Sequence, residues 1–120
     1  MLIEVEFYEL PDGTEPVRVF LDSLDPKIQA KMFREIDLLV ANGPDLRLPH
    51  SRQVEDGIFE LRAKQGTNIS RVMYFFFVGQ KAVLTNGFIK KSQKTPRKEI
   101  ELAKKYRQDY LERNNGGEDK

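Results

Sequence analysis

The chain opens on an alternation. In LIEVEFYE, residues 2–9, apolar side chains alternate with acids, with Leu2 out of phase. A period of two predicts an edge-type strand over 3–9. LPDG at 10–13 reads as a turn. The period then changes: Val17, Phe20, Leu21 and Leu24 follow the i, i+3, i+4, i+7 spacing of a helix stripe, with Thr14 placed to cap it. Asp25-Pro26 starts a second helix, with proline at the tolerated first position. Its stripe is Ile28, Met32, Ile36, Leu39 and Val40, and Asn42-Gly43-Pro44 ends it, glycine being able to take the left-handed cap. These segments predict a two-helix hairpin over one face of a sheet.

The second half is rich in strand patterns. LRLPHSRQVEDG, 46–57, reads as a connector in which Pro49 permits at most a short edge strand. Three apolar runs follow, IFELRAK (58–64), ISRVMYFFFV (69–78) and AVLTNGFIK (82–90), joined by short loops, which predicts an antiparallel three-stranded meander. The middle run is apolar on both faces, as a strand covered on both sides should be. Thr95-Pro96 opens a C-terminal helix whose Ile100, Ala103, Tyr106 and Tyr110 would face the sheet. The expected fold is α+β, a single domain over 1–113, with NNGGEDK (114–120) as a disordered tail.

Strand register turns this pattern into chemistry. If the first hairpin is centred on Gly66-Thr67, Lys64 opposes Ile69 and Arg62 opposes Arg71. Directly opposed residues share a face with Cβ atoms about 4.5–5.5 Å apart, and two like charges there are destabilising unless something negative lies between or over them. A second hairpin centred on Gln80 would set Arg71 beside Ile89, with Lys91 diagonal to it on the same face and Glu60 one step from Arg62. The other face would hold Phe59, Leu61, Val72, Tyr74, Phe76, Leu84 and Phe88 as core, with Lys90 near its open end. Cations from three strands are thus expected on one patch, and phosphate is the anion that suits guanidinium forks. In the plainer reading Glu60 neutralises one arginine and the others lie in solvent; a slip of one residue would also undo the geometry.

Charge sharpens the picture. A net charge of +1 conceals seven acids against one base in residues 1–26, and eight bases against two acids in residues 88–107. That separation suggests a polyanionic partner at the basic end, although two solvated faces of opposite sign give the same composition. The chain has no cysteine and one histidine, His50, which excludes disulfides, thiolate metal sites and the commoner zinc ligand sets. No metal and no cofactor are expected. No apolar run approaches the ~20 residues of a membrane span, and the N-terminus is acidic where a signal peptide would be basic; the expectation is a soluble cytoplasmic protein with no membrane partner.

DGIFELRAK, ISRVMYFFF and LTNGFIKKSQKTPRKEIELAKKY together resemble the RelE/ParE superfamily of bacterial toxins, closest to its phage-derived Gp49-like, HigB-type branch. The resemblance is densest over 50–106. It implies a RelE-like fold and a type II toxin-antitoxin system, with a cognate helix-turn-helix (HigA-like) antitoxin in a hetero-oligomeric complex. The implied activity is metal-independent cleavage of mRNA at the 30S decoding site of the ribosome. A base activates a ribose 2′-OH, the oxygen attacks the adjacent phosphate, a cyclic phosphate forms and a 5′-OH departs. Arg62 and Arg71 match the family's basic strand positions and would stabilise charge on the phosphoryl oxygens.

Lysine can act as the base only where desolvation or neighbouring cations bring its pKa down. In the KKSQK run, Lys91 is the first candidate and Lys94 the second. Lys90, His50, Arg97 and Lys98 are candidates for RNA contact. Tyr74 and Phe88 could stack on a splayed base, or belong to the core as the register suggests. Several HigB-type proteins carry histidine where this chain has Asn86, which leaves the acid and base roles open. Two other readings compete: a ParE-like toxin that inhibits DNA gyrase, and a non-enzymatic nucleic-acid-binding phage domain that holds only phosphate backbone.

Overall fold

The computed structural model describes residues 2–91 and 93–115. Strands β1 (Glu4–Phe7), β2 (Ser51–Glu55), β3 (Ile58–Gln65), β4 (Asn68–Phe77) and β5 (Lys81–Lys90) form one sheet in the order β1-β5-β4-β3-β2. β1 runs parallel to β5, and all other neighbours are antiparallel. Helices α1 (Pro16–Ser23) and α2 (Pro26–Asn42) cover one face, and α3 (Arg97–Asn115) covers the other. This is the expected α+β architecture, with one strand more than the sequence pattern announces. Among the described residues, no helix is long and apolar enough to cross a membrane.

The helix signals mostly act as their chemistry requires. The Asp25 carboxylate accepts from the backbone N–H groups of Lys27 and Ile28, and Pro26 takes the first position of α2. Gly43 closes α2 at φ 54°, where any Cβ would also stand 3.1 Å from the Ile3 side chain. Thr14 does not cap α1. Glu15 occupies that position without a side-chain bond, one residue after Thr14, whose backbone N–H is held by the Asp12 carboxylate at 2.9 Å.

Two apolar layers share the sheet. On one side Leu61, Ala63, Val72, Tyr74, Ala82 and Leu84 pack against Val17, Leu21, Met32 and Leu39. On the other Ile58, Met73, Phe75 and Val83 pack against Ile100, Ala103 and Tyr110. β4 contributes to both layers, which explains its continuous apolar run. Each fully buried side chain of this size contributes about 1.5–3 kcal/mol. Tyr106 packs as expected, stacked on Tyr8 with ring centroids 4.6 Å apart.

Three corrections bear on the site. First, the connector contains β2, the short edge strand that Pro49 allowed, and it joins the meander: Asp56 (φ 51°) and Gly57 (φ 78°) supply the two positive φ angles of a tight hairpin turn. The meander therefore has four strands. Second, the β4–β5 hairpin turns about Gly79, with Phe77 opposite Lys81, and not about Gln80. That change alone moves each partner by two residues and leaves every side chain on its face. A bulge then intervenes: Tyr74 opposes Leu84, Met73 opposes Asn86, and Thr85 is the extra residue. Its hydroxyl lies 3.2 Å from the Met73 carbonyl and 2.7 Å from Asn86 Oδ1. Beyond the bulge the facing is inverted relative to an unbulged strand, so Phe88 opposes Arg71 and Lys90 opposes Ile69. Third, α3 includes Asn114, whose side chain bonds the Tyr110 carbonyl; of the expected tail, residues 116–120 lie outside the described residues.

Candidate functional site

Arg62 and Arg71 stand opposite each other on β3 and β4, as the hairpin register predicts. On the other flank Arg52 of β2 opposes Glu60 of β3. One face of three adjacent strands thus gathers three guanidinium groups and one carboxylate. Glu60 is fully buried. Its Oε2 accepts from Arg52 Nε at 2.7 Å and lies 3.5 Å from Arg62 Nε. Its Oε1 lies 3.8 Å from Arg71 Nε and accepts from the Thr95 hydroxyl at 2.5 Å. A buried carboxylate is tolerated only when such partners replace its hydration. Here it also supplies the negative charge that two opposed arginines require, and it does so for both of them and for a third.

The segment that leads into α3 lies over the cluster. Arg52 Nη2 donates to the Gln93 carbonyl (2.9 Å), and Arg62 Nη2 to the Gln93 side-chain oxygen (2.6 Å). Arg71 Nη1 donates to the Lys94 carbonyl (3.3 Å). The Arg71 guanidinium also sits over the Phe88 ring, 5.8 Å from its centroid, a cation–π geometry. Burial pulls the Arg71 guanidinium below its ordinary pKa; Glu60 opposes that shift, and Arg62 and Arg52 add to it. Exposure grades across the cluster: the Arg71 side chain is 0% exposed, Arg62 14% and Arg52 36%. Arg62 also lines a cleft of about 230 Å³ with Pro49, Lys64, Ile69 and Gln93.

The other candidate residues divide. Lys90 shares the arginine face, contrary to the unbulged register, and Lys91, which follows the end of β5, takes no place on that face through the ladder. Both are exposed, and they line a shallow hollow with Asn68 and Ile89. Lys94 is exposed and touches the cluster through its carbonyl. His50 Nδ1 lies 2.9 Å from Glu35 of α2, on the far side of the sheet, while its carbonyl accepts the Arg62 backbone N–H. Arg97 is bound by Glu55 and Glu101, tying α3 to β2, whereas Lys98 is exposed. Hydrogen bonds from Arg97 and Lys104 bring the Glu55 carboxyl down to about 2. Tyr74 is core, its hydroxyl paired with Ser51. Phe88 leaves the expected core face for the arginine face. Asn86 is buried against Glu99, its amide 3.1 Å from the carboxylate.

Arg52, Gln93 and Thr95 escape the sequence reading. The signal for Arg52 is Asp56-Gly57: taken as a hairpin turn, it places residues 51–55 across from β3 and Arg52 near Glu60. Nothing comparable marks Gln93. Chemically, the arrangement offers fixed guanidinium donors with a surplus of two positive charges at one end of a sheet, suited to a phosphoryl group.

Comparison with protein families matches the family described as Phage derived protein Gp49-like (DUF891) over residues 19–108. That interval spans three quarters of the chain and includes all of the arginine cluster. Comparison with curated proteins finds no match. The chain belongs to this Gp49-like family, a RelE/HigB-like toxin family.

Proposed function

We propose that this protein is the HigB-type toxin of a type II toxin-antitoxin system and that it cleaves mRNA on the ribosome. The observation that supports this reading is the arginine cluster: Arg62 beside an open cleft, backed by Arg52 and Arg71 around the buried Glu60. In the proposed step, a base removes the proton of a ribose 2′-OH and the oxygen attacks the adjacent phosphorus. The P–O5′ bond breaks and O5′ takes up a proton, leaving a 2′,3′-cyclic phosphate and a 5′-OH. Charge accumulates on the non-bridging oxygens, where fixed donors contribute most. Arg62, partly exposed, contacts those oxygens; Arg71, fully buried, positions the cluster from behind. Lys91 and Lys94 remain the two lysine candidates for proton transfer, Lys94 meeting the cluster through its backbone carbonyl on Arg71. Lys90 and Lys98 are exposed and available to the RNA backbone.

Within the chain Glu55 already matches Arg97 and Lys104, and Asp56 matches Arg107. A helix-turn-helix antitoxin that covers the basic end would therefore meet its charge mainly towards Lys90 and Lys91, in a complex weakened by salt.

The test is induction followed by mapping of new 5′ ends on mRNA. Cuts within translated codons that are lost together with growth arrest in Arg62→Ala, while the variant protein stays folded, support the reading; loss of one transition-state donor lowers the rate by about 10²–10³-fold. Intact mRNA with inhibited gyrase would instead identify a ParE-like toxin.

A further inference from the structure

We infer that the cleft bounded by Pro49, Arg62, Lys64, Ile69 and Gln93 is a seat for one phosphoryl group, and that the Gln93 side chain occupies its principal donor in the resting protein. The inference rests on the reading of Arg62 as a phosphate contact and adds how that contact is made.

Arg62 reaches Glu60 only at 3.5 Å through Nε, while its Nη2 is held at 2.6 Å by the Gln93 amide oxygen. That acceptor is neutral and belongs to an exposed residue, so holding it still costs side-chain entropy. A phosphoryl oxygen at the same donor makes a charge-assisted bond, roughly twice as strong as a neutral one. Lys64 lines the same cleft and supplies a second positive charge, and Pro49 and Ile69 form apolar walls. The cleft, about 230 Å³, lies below the range of pockets that enclose whole drug-sized ligands, and suits a phosphoryl group with part of its sugar. Gln93 holds Arg52 separately, through its backbone carbonyl. Shortening the Gln93 side chain therefore vacates Arg62 and leaves the bond to Arg52 in place.

The prediction has an unusual sign, since removing a residue that lines the site tightens binding. Inorganic phosphate is titrated into the full chain at low salt while the Arg62 Nε–H signal is followed by nitrogen-proton NMR. Gln93→Ala is expected to bind phosphate about tenfold more tightly, the scale of one hydrogen bond to a charged group. Gln93→Glu places a carboxylate on Arg62 and is expected to weaken phosphate by tenfold or more. Lys64→Ala weakens it too, by a factor that shrinks as salt is added. Equal or weaker binding by Gln93→Ala, or unchanged binding by Gln93→Glu, overturns the proposal. Phosphate binding does not depend on RNA cleavage, so the two readings fail separately. Intact mRNA with this titration behaviour removes the ribonuclease and keeps the seat; codon cuts with an indifferent Gln93→Ala do the reverse.

Discussion

Replacing Glu60 with glutamine removes one charge and almost no volume, and the geometry sets the size of the effect. Glu60 and Arg71 are both fully buried, 3.8 Å apart, so solvent screens that pair least. The share due to Arg52, at 36% exposure, is much more screened. At an effective dielectric near 20, opposite charges about 4 Å apart attract by roughly 4 kcal/mol. Removing one partner of a buried pair costs about 3–5 kcal/mol, because the other is left uncompensated. The glutamine oxygen can still accept from Thr95, which favours the lower end, about 3 kcal/mol. For a domain of this size that lowers Tm by roughly 10 °C. The assay is thermal and urea unfolding followed by circular dichroism, with Arg71→Met and the double variant beside it. Since the double variant removes the most buried pair together and leaves only the more exposed Arg52 and Arg62 without their carboxylate, it should be more stable than the sum of the singles by at least about 1.5 kcal/mol. Glu60→Gln melting within about 2 °C of the parent, or strictly additive singles, would refute the account of Glu60 as the counter-ion of the cluster.

Other expectations follow from the packing and the ion pairs. Tyr74→Phe keeps the ring stacked on Phe59 but strands the buried Ser51 hydroxyl, and should lower unfolding stability by about 1–3 kcal/mol in urea denaturation. Gly87→Ala places a Cβ 2.3 Å from the Phe20 ring, and overpacking of that kind should cost about 1–3 kcal/mol in the same measurement. Glu55, with its carboxyl at about 2 in the folded protein against an ordinary 4.5, has a depressed folded pKa. Its stabilising contribution is therefore complete above pH 4.5 and lost as pH falls towards 2. The Tm gap between the parent and Glu55→Gln should be open at pH 7 and closed at pH 2.

Local signals with one strong physical cause were legible in the sequence. Asp25-Pro26 combines a capping carboxylate with a fixed φ, and α2 begins there. Gly66 lies between two strongly patterned strands, so the β3–β4 register and the Arg62–Arg71 pair follow directly. The failures arise where a signal acts through tertiary context. Thr14 could have capped α1 on chemistry alone, but the helix starts one residue later, with Glu15 at the cap and Pro16 first. Pro49 discounted β2 because a proline weakens a strand, yet it stands outside the ladder. The bulge at Thr85 is hinted at only by Gly87, a strand glycine two residues further on that does not locate it, and missing it exchanged Lys90 for Lys91. Burial of Glu60 is also invisible in the pattern, since a charged residue in an alternating strand reads as solvent-facing until Arg52, Arg71 and Thr95 are seen around it.

The same bulge gives β5 a reserve of length. In a regular strand the loss of one residue turns everything beyond it inside out. Thr85 has no partner of its own on β4, so straightening the strand at that point can absorb one deletion further along. Relatives one residue shorter here could keep an arginine-facing Phe88 equivalent without any bulge. Alignments that score only residue identity would then place a gap in the strand where the face is conserved, and the surface should be compared by facing, not by count.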